Sequence, residues 1–169
     1  MKKSMTLAAL TAALAIAGCA KKPPAVLPPG PSSENTTPVD NGPIEGQVLP
    51  GSRADFLRTV PSDRIFFDTD SFSVDDQDRV TLDAQAAWLQ RYPNVRVTIE
   101  GHADERGTRE YNLALGDRRA NAAKNYLQSR GIDAARMAVI SWGKERPDAV
   151  GSDESAWARN RRAVTVIPQ

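Results

Sequence analysis

Two clusters of charge pose the chemical question in this 169-residue chain. Asp104, Glu105 and Arg106 stand together in one polar stretch, and Arg118 and Arg119 follow in the next. An arginine can meet a carboxylate with two parallel hydrogen bonds, and an aspartate can accept from an ammonium group. Both signs held close together suit a zwitterion. The same side chains also suit solvated surface ion pairs, worth ~0–1 kcal/mol each. Residue types alone leave both readings open. His102 and Asp104 could form a metal or acid–base pair. However, the chain has 1 histidine and 1 cysteine, too few for a zinc site unless carboxylates dominate it. Neither GxSxG nor GxxxxGK[ST] occurs. His102 is therefore expected to order its loop by hydrogen bonds. The expectation is a binding site with no catalytic residue, no metal and no cofactor.

Two elements must position these charges. Val97 and Ile99 alternate with Thr98 and Glu100, the period of a strand with one buried face. This strand is expected over 95–100, with Gly101 ending it. Tyr111, Leu115, Ala122 and Tyr126 can share one helical face, which predicts a helix over 109–129. Gly131 fits a left-handed helix stop, with Ile132 as the apolar residue beyond it. A polar loop from a strand's C-terminal end to a helix N-terminus is a common ligand position. Gly116 inside the helix is unfavourable by ~1 kcal/mol relative to Ala, so close packing is expected there.

The remaining pattern predicts a strand at 64–67, a turn at 68–70 and a helix capped by Ser73 that ends before Pro93. One helical turn over 133–137, a strand over 139–142, a short helix over 153–160 and a last strand over 163–167 follow. Trp142 and Trp157 read as packing residues. Asn160-Arg161-Arg162, close to a strand start, reads as a frame to the pocket or as partners for aspartates. Helices between strands indicate an α+β fold in which helix crossovers join parallel strands.

Charge is balanced at 22 basic and 21 acidic residues. No clustered basic excess marks nucleic acid as a partner, and no polybasic patch marks a membrane surface. A basic start at Lys2-Lys3 precedes an apolar run over 5–17 that is too short to span a bilayer. It reads as a signal peptide over 1–18. Most of the 12 prolines fall before Arg64. Residues 19–61 are therefore expected to be a flexible Pro-rich linker, and 62–169 the folded domain.

Certain motifs carry a resemblance. Gly101-His102-Ala103-Asp104, Gly107-Thr108, Tyr111-Asn112, Leu115-Gly116 and Arg118-Arg119-Ala120 resemble the signature of the OmpA-like peptidoglycan-binding domain family. Ser141-Trp142-Gly143-Lys144-Glu145-Arg146-Pro147 and Asn160-Arg161-Arg162-Ala163 match it too. Ile16-Ala17-Gly18-Cys19 resembles a bacterial lipobox. The resemblance implies an α/β sandwich: a mixed four-stranded sheet in the order 1-4-2-3, its last strand antiparallel, covered by two main helices. It implies cleavage before Cys19 and acylation of that residue. Ala20, where Asp is absent, resembles the signal for the outer membrane of a diderm bacterium, with the domain facing the periplasm.

The ligand so implied is peptidoglycan, held by the meso-diaminopimelate of its stem peptides. Asp104 and Arg119 would grip the two charges. Asp70 would join them from the turn after Phe67, and Thr69 through a backbone contact only, since the family often has an aromatic there. His102, Thr108, Tyr111, Asn112, Leu115 and Arg161 would support the pocket. The implied partners are the Tol proteins, chiefly TolB, competing for the same face. The alternative is a periplasmic protein-interaction hub.

Overall fold

The structure, a computed structural model, describes residues 48–168. The expected signal peptide, the acylated Cys19 and the linker as far as residue 47 lie outside the described residues.

The linker expected over 19–61 ends earlier than its composition suggests. Helix α1 (Arg53–Thr59) is capped by Ser52, whose hydroxyl accepts the Asp55 N–H. Its Phe56 is fully buried edge-on to Trp88, ring centroids 5.0 Å apart. The Asp55 carboxylate accepts from the Trp88 indole at 3.1 Å. One aromatic anchor and one hydrogen bond attach this short helix to the domain, which therefore begins before residue 62. Proline content conceals it because a single buried side chain leaves no periodic pattern.

Strand β1 (Arg64–Phe66) leads into helix α2 (Asp76–Arg91), capped by Asp75 and not by Ser73. The Asp75 carboxylate accepts the Asp78 N–H at 2.7 Å, and an ionised cap also suits the positive end of the helix dipole. Strand β2 (Val97–His102) runs two residues further than expected. Helix α3 (Arg109–Ser129) has the expected bounds, with Thr108 as its cap. Gly131 stops it at φ +90°, and the Ile132 N–H returns to the Leu127 carbonyl at 3.2 Å. A 3-10 turn at Ala134–Arg136 precedes strand β3 (Met137–Gly143). Helix α4 (Glu154–Asn160) and strand β4 (Arg162–Val166) complete the domain.

The sheet order is β1-β4-β2-β3. β4 is antiparallel to β1 and β2, and β2 is parallel to β3. The resemblance implied this order and orientation. Because β1, β2 and β3 all point one way, their C-terminal ends meet at one edge, where the loops into α2, α3 and α4 begin. Ile65, Leu82, Leu89, Ile99, Ala123, Leu127 and Ala163 fill the core between the sheet and helices α2 and α3.

The glycines in β2 and α3 set how closely that helix approaches the sheet. A Cβ on Gly101 would collide with the Gly116 carbonyl, and one on Gly116 would collide with the Ser141 hydroxyl and come within 2.9 Å of the Gly101 carbonyl. The Ser141 hydroxyl is itself tied to the Leu113 carbonyl at 2.7 Å. Gly116→Ala would stabilise an open helix by about 1 kcal/mol. Here it should destabilise the protein by about 1–3 kcal/mol through overpacking. Urea unfolding measures this, and an unchanged midpoint would contradict such close packing.

Asp78 carries a second stability signature. It is buried, and one carboxylate oxygen accepts the Phe66 N–H at 3.2 Å. Burial pushes the carboxyl up from 3.8 to about 6, aided by the charge of Asp75 and opposed by the Phe66 N–H. The folded state thus favours the protonated form. That contribution is full below pH 3.8 and lost as pH rises through about 6. Asp78→Asn keeps an acceptor for Phe66 and removes the charge. It should raise stability at pH 7 by up to about 3 kcal/mol, with the gain gone near pH ~4. Thermal unfolding from pH 3 to 8 tests this, and a gain that does not depend on pH would contradict it.

Candidate functional site

At that edge of the sheet a cavity of ≈ 270 Å³ opens between the β1–α2 loop, the β2–α3 loop and the first turns of α3. Thr69 and Asp70 line it from the first loop, Asp104, Arg106 and Gly107 from the second, and Tyr111, Asn112, Leu115 and Arg119 from the helix. Two carboxylates and two guanidinium groups therefore share one small concavity.

Arg119 lies four residues beyond Leu115, so both fall on the inward face of α3. It is fully buried. Its Nε donates to the Ser71 carbonyl at 2.8 Å, Nη1 to the His102 carbonyl at 2.8 Å and Nη2 to the Asp68 carbonyl at 3.1 Å. Burial lowers its pKa to about 10, against the pull of Asp104 and Asp70, so it stays charged at neutral pH. A guanidinium has five N–H groups, and two on the terminal nitrogens remain.

Asp104 is buried beneath Arg106. Arg106 Nη2 donates to Oδ2 at 2.6 Å, Nε to Oδ1 at 3.1 Å, and the Arg106 backbone N–H to the same Oδ1 at 3.1 Å. Arg161 Nη1 approaches Oδ2 from behind at 3.6 Å. Burial would raise the carboxyl's pKa, but these hydrogen bonds and charges outweigh it and hold the pKa below 3.8. Asp70 differs. It is exposed, and its carboxylate accepts from the Tyr111 hydroxyl at 3.3 Å. No cation forms an ion pair with it among the described residues. Its backbone takes φ +55°, a left-handed conformation that Asp tolerates better than most residues.

The structure thus gathers Asp70, Thr69, Asp104, Tyr111, Asn112, Leu115 and Arg119 around one cavity, and leaves three of the expected residues outside its lining. Thr108 works on the backbone, as the α3 cap. Arg161 stands behind the wall, bound to the Phe67 carbonyl at 2.9 Å and to Glu154 at 2.7 Å. His102 contributes its carbonyl and not its ring. Neither ring nitrogen has a hydrogen-bond partner among the described residues, and Nε2 lies 3.6 Å from Glu100. The ring was expected to order the loop by hydrogen bonds, and this corrects that expectation. Burial, reinforced by the charge of Arg162, pushes it down to about 4, so it is neutral at pH 7.

In the sequence Arg106 is one of the loop charges, outside the residues expected to hold the ligand, and Trp157 reads as packing. The Arg106 guanidinium lies 4.1 Å over the half-buried Trp157 ring. The indole donates to Glu105 at 3.1 Å, which fixes the ring beside the β2–α3 loop. Trp142 likewise stacks with Arg146, at 3.4 Å. No spacing signal links Arg106 to Trp157, because they sit on separate elements far apart in the chain. No group of three or more His, Cys, Asp or Glu able to hold a metal occurs among the described residues.

A mixed β1-β4-β2-β3 sheet under two main helices, with a charged cavity at its C-terminal edge, defines an α+β sandwich of OmpA-like fold. The OmpA family matches residues 66–161. The chain is 51% identical to the peptidoglycan-associated lipoprotein of Agrobacterium fabrum, over 99% of this chain and 89% of that one. It is 51% identical to that of Rhizobium meliloti, over 98% and 88%. The crystal structure of the peptidoglycan-associated lipoprotein from Burkholderia pseudomallei superposes with a TM-score of 0.62 at 46% identity, covering 63% of this chain and 91% of that one. The C-terminal domain of Helicobacter pylori MotB shares the fold alone, at 18% identity and TM-score 0.59, over 63% of this chain and 84% of that one. The chain belongs to the OmpA family, among its peptidoglycan-associated lipoproteins. The family is one of structural, non-enzymatic proteins.

Proposed function

We propose that this chain is an outer-membrane lipoprotein that binds peptidoglycan non-covalently through the meso-diaminopimelate of its stem peptides. In this reading it ties the outer membrane to the wall within the Tol–Pal system, with TolB and other Tol proteins as partners, and serves envelope integrity and division.

Arg119 carries the reading. It is a fully buried cation whose protein partners are three carbonyls, with no carboxylate paired to it among the described residues. A buried charge favours a counter-charge, and the cavity it borders also holds Asp70 and Asp104. The side-chain end of diaminopimelate carries one carboxylate and one ammonium close together. The carboxylate would face the remaining Arg119 N–H groups, and the ammonium would face Asp104 and Asp70. Thr69 would contribute a backbone contact, while Tyr111, Asn112 and Leu115 would shape the wall. The names of the relatives support the same ligand class.

Calorimetry with two stem peptides, one containing diaminopimelate and the other lysine, tests the assignment. The lysine peptide keeps the ammonium and lacks the carboxylate, so it should bind weakly. Asp104→Asn should cost about 2–5 kcal/mol of binding, or roughly thirtyfold to several-thousandfold in affinity. Arg119→Lys should also weaken binding, because it loses the planar fork. Since Arg119 also holds two loops, its variant is to be compared at matched folded fraction, measured by circular dichroism. Native-like affinity in both variants, or equal binding of the two peptides, would refute the grip.

The anchor rests on sequence, since Cys19 lies outside the described residues. Several acyl chains on one residue give durable anchoring where one gives only marginal binding. Cys19→Ala should therefore move the protein out of the membrane fraction on cell fractionation. A mature, cleaved variant that stayed in the membranes would argue against lipidation at this residue.

A further inference from the structure

The guanidinium of Arg106 is set up to bind and not merely to pair. Nε and Nη2 are occupied by Asp104, and Nη2 also reaches the Thr69 hydroxyl at 3.3 Å. Nη1 has no hydrogen-bond partner among the described residues, which leaves two N–H donors. The group is held on its flat face by Trp157 at 4.1 Å, and the ring by Glu105 at 3.1 Å. The Arg106 carbonyl is fixed as well, by the Asn112 amide at 2.7 Å. The side chain is nevertheless 39% exposed and lines the cavity. Position, orientation and charge are thus set, while one donor edge is open.

Arg119 cannot supply the same edge. Each of its three nitrogens already donates to a carbonyl, and it has one spare N–H on each terminal nitrogen. A carboxylate offers about four lone-pair sites, more than those two donors use. Asp70, the carboxylate without a cation, is the natural seat for an ammonium while Arg106 stays on Asp104.

We propose that Arg106, stacked on Trp157 and braced by Asp104, is a second ligand-binding arginine of this cavity. Its Nη1 edge takes the carboxylate of a zwitterionic side-chain end and so determines the preference for that end over a bare ammonium. This rests on the diaminopimelate reading above. It makes Asp104 partly a positioning residue that aims Arg106. It also gives Trp157, distant in sequence on α4, a part in specificity.

The test measures the ratio of affinities for the diaminopimelate and lysine stem peptides, by calorimetry on the full-length chain in detergent. Arg106→Gln should weaken the diaminopimelate peptide roughly ten- to hundredfold, the effect of losing a hydrogen bond to a charged group. The lysine peptide should change by less than about threefold, so the preference collapses. Arg106→Lys, which still pairs with Asp104, guards against misfolding and should lose most of the preference. Trp157→Leu should lose part of it. A preference kept by both Arg106 variants overturns this proposal while leaving the diaminopimelate reading intact. Tighter binding by Arg106→Gln also overturns it, because Arg106 would then be a competitor for Asp104. A native chain without preference overturns the parent reading and this proposal with it.

Discussion

The site depends on a single buried charge. The Arg119 guanidinium ties the Asp68 and Ser71 carbonyls of the β1–α2 loop to the His102 carbonyl at the end of β2. Burying an unpaired cation costs several kcal/mol. Three charge-assisted hydrogen bonds offset this, each aimed at a carbonyl dipole. The Phe67 ring, 5.3 Å away, adds a cation–π contact. In return, the β1–α2 loop and the end of β2, which share no strand pairing, are held against one helix. Asp70 keeps its left-handed backbone because the residues on both sides of it are pinned in this way.

A second level of ion pairs adjusts what that frame presents. Asp104 sits between Arg106 in front and Arg161 behind. Arg161 is anchored in turn to the Phe67 carbonyl and to Glu154 at the start of α4. Helix α4 acts on the cavity through such contacts, Trp157 under Arg106 and Glu154 on Arg161. A short helix that lines none of the pocket thereby fixes one guanidinium in the lining and one behind it. The close approach at Gly101 and Gly116 serves the same end, since it seats the first turns of α3 deep enough for Arg119 to reach both loops.

Much of this was legible because it is periodic or uses special residues. Helix α3 follows from its apolar spacing and from Gly131 after it. The tight contact at Gly116 follows from a glycine placed where a helix would prefer alanine. Sheet order was not readable from spacing and came through the family resemblance. Helix α1 was missed because its hold on the core is one side chain, Phe56, in a proline-rich neighbourhood. The framing role of Arg119 is hidden for a different reason. Its partners are backbone carbonyls, which every residue has, so no sequence letter marks them. The stacking of Trp157 on Arg106 is invisible in the sequence because it joins two elements with no pattern between them. His102 was misread because a polar letter in a motif suggested a working side chain, whereas the fold uses its carbonyl and buries a neutral ring.

The charge balance of the cavity explains why such a site could select without catalysing. Two aspartates face two arginines, and both arginines keep unused donors. For the proposed zwitterion each ligand charge meets its opposite, so no group is left desolvated and unmatched. A ligand with the ammonium alone leaves the arginine donors facing nothing, and one with the carboxylate alone leaves Asp70 so. Discrimination then arises from the penalty on the wrong ligand more than from added attraction to the right one. That penalty grows with the rigidity of the groups left behind, because a mobile side chain would turn away to solvent. Arg119 is held by three carbonyls and Arg106 by a carboxylate and an indole face, so neither can turn away cheaply. The hydrogen bonds that build the frame are thus also what would make the pocket selective.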